Sequence, residues 1–90
     1  MITVRWEITG RVQGVGFRYF VRDRAGKFRL TGTVCNCPDG SVEVVVQGLR
    51  EELDQFRDVI KKGNGLCRVD RLVEYPADYA GPFQTFEIIR

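Results

Sequence analysis

Two places in this sequence combine residue types that can do chemistry on an anion. The first is the run Gly10-Arg11-Val12-Gln13-Gly14-Val15-Gly16-Phe17-Arg18, which has three glycines in its first seven residues and an arginine at its end. Glycines at this spacing let the backbone turn so that successive N–H groups point into one concavity, an arrangement that holds oxyanions. A helix starting where the glycines stop would add its unpaired N–H groups and the positive end of its dipole. Arg18, in the first helical turn, can then fold back over the hollow with a planar fork matched to phosphate oxygens. The same run also has a plain structural reading, a strand-to-helix turn with an arginine nearby. Its partial likeness to G-x-G-x-x-G carries little, because a dinucleotide fold needs a doubly wound parallel sheet that 90 residues in this order cannot supply.

The second place is Asn36, at the end of an extended run and just before Pro38-Asp39-Gly40, a tight-turn signal. Alternation puts Asn36 on the same side as Leu30, Gly32 and Val34, where an apolar residue would be expected. Its amide can cap the turn, or it can offer a carbonyl and an NH2 group to hold one water molecule. The glycine run and this strand end can lie at the same rim of a sheet.

The elements that must position these residues are legible from periodicity. Residues 1–9 alternate, with Ile2, Val4, Trp6 and Ile8 on one side and Thr3, Arg5, Glu7 and Thr9 on the other, a strand with one wet face. Phe17, Phe20, Val21, Ala25 and Phe28 recur at helical spacing. Residues 30–37 predict a second strand and residues 41–47 a third, with Val42, Val44 and Val46 inward, so that the pair forms a hairpin. A second helix is predicted over residues 49–62, with Leu49, Leu53, Phe56 and Ile60 as its stripe and Gly63 as its C-terminal cap. Residues 66–75 form a fourth strand whose alternation changes phase between Val69 and Leu72, which predicts a bulge. Residues 76–82 are loop, and residues 85–90 close as a short fifth strand.

The order β-α-β-β-α-β plus one strand predicts an α+β, ferredoxin-like split sandwich: an antiparallel sheet with two helices on one face. The expectation is a single domain over residues 1–90, without repeats, linkers or low-complexity tracts. Such a chain buries about 60–65% of its unfolded surface, enough for one core.

Composition narrows the function classes. With 14 basic and 12 acidic residues, the net charge of +2 gives no electrostatic case for nucleic acid. The cluster Arg18, Arg22, Arg24, Lys27 and Arg29 around a lone Asp23 reads as a solvated basic stripe, Arg18 apart. An RNA-binding module on this topology would show aromatics on the open faces of strands one and three. The wet-face residues Thr3, Arg5, Glu7, Thr9, Ser41, Glu43, Val45 and Gln47 include none. No apolar run approaches the ~20 residues that a membrane span needs, and the N-terminus lacks the layout of a secretory signal. A cytoplasmic address is the expectation. Cys35, Cys37 and Cys67 are then expected to be free thiols. No metal is expected, since the chain has no histidine and three thiolates fall short of the four ligands of a structural zinc site.

The segments Val12-Gln13-Gly14-Val15-Gly16-Phe17-Arg18 and Gly32-Thr33-Val34-Cys35-Asn36-Cys37-Pro38-Asp39-Gly40 together resemble the paired signature of the acylphosphatase family. The resemblance continues through residues 41–48, the second helix and Arg68-Val69-Asp70-Arg71, nearly the whole chain. It implies a metal-free hydrolase of small-molecule acyl phosphates; no cofactor is expected, and a monomer is the expected form. By the family pattern Arg18 binds the phosphoryl group with backbone N–H groups of Gln13, Gly14, Val15, Gly16, Phe17 and Arg18, and Asn36 orients the attacking water. A carboxylate is a good leaving group, so such chemistry requires no strong general acid, in keeping with the absence of histidine. Asn36 cannot serve as a base, and the substrate's own phosphate oxygen is the expected proton acceptor. Thr33 stands where many members carry tryptophan, and the thiols flanking Asn36 are outside the signature. Two alternatives share these motifs: a carbamoyl-phosphate-handling domain like the N-terminal part of hydrogenase maturation proteins, which are much longer, and a non-catalytic anion-binding module. A chain ending at Arg90 favours the standalone enzyme.

Overall fold

A computed structural model of the chain describes residues 1–77 and 81–89. The elements are β1 (Ile2–Arg11), α1 (Phe17–Lys27), β2 (Thr31–Asn36), β3 (Val42–Gly48), α2 (Arg50–Lys62), β4 (Arg68–Pro76) and β5 (Phe86–Ile89). They form one five-stranded sheet in the order β4-β1-β3-β2-β5, with α1 and α2 packed against it and against each other. β1 pairs antiparallel with both β3 and β4, and β2 pairs antiparallel with β3. β5 runs parallel to β2, so the sheet is mixed where a wholly antiparallel one was expected. The physical reason is the connection: the chain leaves β4 at one edge and must reach the other edge, and the sense in which it arrives sets the pairing. The last residue of the predicted fifth strand, Arg90, lies outside the described residues, as do residues 78–80 of the predicted loop.

The core follows from alternation. Val4, Trp6 and Ile8 of β1 and Val42, Val44 and Val46 of β3 are buried against Phe17, Val21 and Ala25 of α1 and Leu53, Phe56 and Ile60 of α2. Phe56 is the centre of an aromatic cluster, with ring centroids 5.6 Å from Trp6, 6.0 Å from Phe28 and 6.3 Å from Phe86. Glu74 ties the β4 flank to α2: its carboxylate accepts Trp6 Nε1 at 2.9 Å and a two-pronged contact from Arg50 at 3.1 and 3.0 Å.

The predicted bulge is present. Thr9 pairs with Arg71 but Gly10 pairs with Val69, which leaves Asp70 as the extra residue of β4. Three details of the sequence reading need correction. Leu49 precedes α2 as its N-cap and is 55% exposed, so the buried stripe begins at Leu53. Ser41 and Val45, assigned to the wet face, are only 3% and 8% exposed. Ser41 is drawn in by Asp39, whose Oδ1 accepts both its hydroxyl at 2.6 Å and its N–H at 2.9 Å. On the same face, Gly81 lies close to the side chain of Gln47, two residues along the strand from Val45.

Candidate active site

The register brings the two chemically suggestive segments to one rim. Asn36, the last residue of β2, pairs with Val42 at the start of β3, and Val42 pairs with Ile8 near the end of β1. Residues 12–16, which lead from β1 into α1, begin at this same rim. Asn36 is exposed there, two residues along the strand from the fully buried Val34 and therefore on the helix-covered face.

Within the loop, Gly14 and Gly16 have φ of 74° and 75°. A Cβ at Gly14 would meet nothing within 4 Å, and at Gly16 only the Asn64 amide at 3.9 Å. Conformation, not space, therefore demands glycine: a left-handed backbone costs another residue about 1–2 kcal/mol. Gly16 is the N-cap of α1, and no side chain caps it. Its carbonyl accepts the first helical bond from Phe20 N at 3.1 Å. The N–H groups of Phe17, Arg18 and Tyr19 thus stand without intrahelical partners, as at any helix start.

Two side chains fix this loop to its surroundings. Gln13 Nε2 donates to the carbonyls of Cys37 at 2.9 Å and Ser41 at 2.8 Å, bracketing the β2–β3 turn. That turn is itself closed by Cys37 N to Ser41 O at 2.8 Å and Gly40 N to Cys37 O at 3.1 Å. From the other side, Asn64 Nδ2 donates to Val15 O at 3.1 Å while its Oδ1 accepts from Leu66 N and Cys67 N, both at 2.9 Å. Sequence reading treated Gln13 only as a source of backbone N–H and passed over Asn64. A polar residue just after the Gly63 cap was the available signal, but its partner lies 49 positions away.

The start of α1 carries positive charge only. The first turn of α1 has no acidic residue, and Arg18, half-buried in that turn, makes no salt bridge among the described residues. Burial pushes the Cys35 thiol up, with Glu43 and Cys37 acting in the same direction, and the charge of Arg18 opposes them. Among the described residues no group of three His, Cys, Asp or Glu side chains is placed to hold a metal, and no helix is long and apolar enough to cross a membrane.

Two surface hollows lie beside the rim, not at it. One of about 260 Å³ opens between α1 and β5, lined by Tyr19, Arg22, Phe86, Glu87 and Ile88. The other, about 180 Å³, is on the open sheet face between β1 and β4. A cradle of main-chain amides for a small anion needs no deep cavity, since charge and hydrogen bonding supply its affinity.

Fold and rim together define a class, small ferredoxin-like α+β proteins that present a glycine loop at a helix start beside a strand-end asparagine. The chain belongs to the acylphosphatase family, whose model, Acylphosphatase, matches residues 4–88. It is 48% identical over 89 residues to an acylphosphatase of Bacillus licheniformis, covering 98% of each chain. It is 44% identical over 85 residues to one of Petrotoga mobilis, covering 92% of this chain and 96% of that one. The crystal structure of acylphosphatase from Bacillus subtilis superposes with a TM-score of 0.94 at 36% identity, covering all of both chains. The chain also resembles one portion of a longer protein, T. kodakarensis HypF, at 34% identity and a TM-score of 0.87, spanning 12% of its length. The protein is accordingly an acylphosphatase, an enzyme that hydrolyses the carboxyl–phosphate anhydride of acyl phosphates.

Proposed function

We propose that Arg18 and the main-chain N–H groups of residues 13–18 bind the phosphoryl group of the substrate, and that Asn36 orients the water that attacks it. The observation that carries this reading is the pair of Gln13 hydrogen bonds to the carbonyls of Cys37 and Ser41, which locks the glycine loop to the turn that follows Asn36. The start of α1, which has no side-chain cap, and Arg18, which has no salt-bridge partner among the described residues, support it, since both are costs to the free protein that an anion relieves.

The water attacks phosphorus opposite the acyl oxygen, the P–O bond to the acyl group breaks, and the carboxylate leaves with its electron pair. Charge in the loose transition state is spread over the nonbridging oxygens, where a prearranged guanidinium and amides stabilise it. The carboxamide of Asn36 accepts one hydrogen of the water and fixes its line of approach, a positioning contribution. The proton passes to a phosphate oxygen, since Asn36 cannot take it at neutral pH.

No step calls for a metal, and turnover is expected to survive a chelator. Three free thiols suit a reducing cytoplasm, and a monomer without nucleic-acid partners is the simplest working form. The site assignment is tested by measuring inorganic phosphate affinity and benzoyl phosphate hydrolysis side by side. Asn36→Ala is expected to bind phosphate as the parent does while turnover falls by about a hundredfold. Normal turnover in that variant would remove Asn36 from the mechanism.

A further inference from the structure

Asn36 stands between two cysteines, Cys35 and Cys37, that the hydrolytic mechanism does not use. Both are half-buried free thiols. Cys35 alternates with Val34 and Asn36, so it points to the sheet face that carries no helix, beside Glu43 of β3 and Ile89 of β5. The other end of the pair is held tightly. The N–H of Cys37 donates to Ser41 O, and its carbonyl accepts from Gly40 N and from Gln13 Nε2.

We propose that Cys35 and Cys37 form a thiol–disulfide exchange site for low-molecular-weight disulfides, and that closing the disulfide across Asn36 switches hydrolysis off. Residues i and i+2 of an extended strand have Cα atoms roughly 6.4–6.8 Å apart, at the upper end of the range of about 4.4–6.8 Å that a disulfide spans. Closure therefore shortens the strand at Asn36 and turns its carboxamide. It also draws on the Cys37 carbonyl that anchors Gln13, so the glycine loop is disturbed by the same event. A ring closed against the extended strand is strained, which makes it readily reducible. The open rim gives an oxidant access, and the two-residue spacing puts the resolving sulfur on the same side of the chain as the attacking one.

The exchange balances. One cysteine thiolate attacks a sulfur of oxidised glutathione, forming a protein–glutathione disulfide and expelling one glutathione thiolate. The neighbouring cysteine thiolate attacks the protein-side sulfur, closes the ring and expels the second. The two protein thiols lose two electrons and two protons, and the oxidised glutathione becomes two molecules of glutathione. This switch rests on the roles given above to Asn36 and Gln13.

The test uses the full chain carrying Cys67→Ser, so that only this pair can react. After incubation with oxidised glutathione, free thiols, intact mass and benzoyl phosphate hydrolysis are read together. The expected result is loss of both thiols, a mass lower by two hydrogens in a monomer, and turnover reduced by about ten- to a hundredfold, all restored by dithiothreitol. Adding Cys35→Ser should leave turnover of the reduced enzyme as it was and abolish the two-hydrogen loss. Persistence of both thiols, a stable glutathione adduct, a disulfide-linked dimer, or a closed ring with undiminished turnover would each overturn the proposal. Thiol count and mass report ring closure whatever Asn36 does in catalysis, whereas normal turnover in Asn36→Ala would count against the hydrolytic assignment alone.

Discussion

The two helices of this molecule follow opposite rules. α2 carries Glu51 and Glu52 in its first turn and Lys61 and Lys62 in its last, each charge matched to the dipole end it sits on. Its buried stripe of Leu53, Phe56 and Ile60 is continuous, and Arg50 at its start is paired with Glu74 and Asp54. α1 also ends with bases, Arg24 and Lys27, but its start is unlike that of α2. The N-cap is a left-handed glycine, the first turn has no acid, and Arg18 adds positive charge where the dipole is already positive. Neither helix has a side-chain cap, so the contrast is one of charge. Unmatched charge at a helix start is what the phosphate-binding role proposed for Arg18 calls for.

Four changes would break or sharpen this contrast. The largest effect is expected on the α2 side. Phe56→Ala removes the ring on which Trp6, Phe28 and Phe86 converge and should cost about 3–5 kcal/mol of stability in denaturant unfolding, a large share of the total for a domain with a typical ~5–15 kcal/mol.

Next comes Arg18→Glu, which gives α1 the acidic first turn that α2 already has. Turnover should fall by about a hundred- to a thousandfold, on the scale of losing one transition-state oxyanion donor. Stability without ligand should rise by roughly 0.3–1 kcal/mol. Inorganic phosphate should raise the unfolding midpoint of the parent and not that of the variant. A loss of stability in Arg18→Glu would contradict the account of α1.

Gln13→Ala cuts both ties between the glycine loop and the β2–β3 turn. About 1–3 kcal/mol of stability should go, with phosphate affinity falling alongside kcat. If only stability falls, the loop does not depend on that anchor for its shape.

The smallest effect belongs to Glu74→Gln, expected to cost about 1 kcal/mol or less with kcat unchanged. Hydrogen bonds from Arg50 chiefly, and from Trp6, hold the Glu74 carboxyl below its ordinary value. Its contribution is thus present above the unfolded carboxylate range and is lost as pH falls through the lower folded value. The stability gap between parent and Glu74→Gln should shrink on acidification, as urea midpoints at neutral and acid pH would show.

Much of this was readable along the chain because it is local. Alternation in residues 1–9, the stripe Leu53, Phe56, Ile60, the Gly63 stop and the phase change around Asp70 each depend on neighbours a few residues apart. So does the glycine run ahead of Arg18. Where reading failed on single residues, periodicity alone did not decide burial. Leu49 has the right spacing for the α2 stripe but comes one residue before the helix begins. Val45 has wet-face parity yet is buried, and Ser41 is drawn in by Asp39 two positions away.

The sequence by itself determined which residues can do chemistry and which elements carry them, since hydrophobic period, glycine conformation and charge are properties of short segments. Only the tertiary structure decided that β5 arrives parallel to β2, that Gln13 reaches across 24 positions and Asn64 across 49 to fix the loop, and that the helix start with unmatched charge opens beside the end of β2. Those are facts of distance between remote parts of one chain, and no periodicity encodes a distance that only the packed sheet creates.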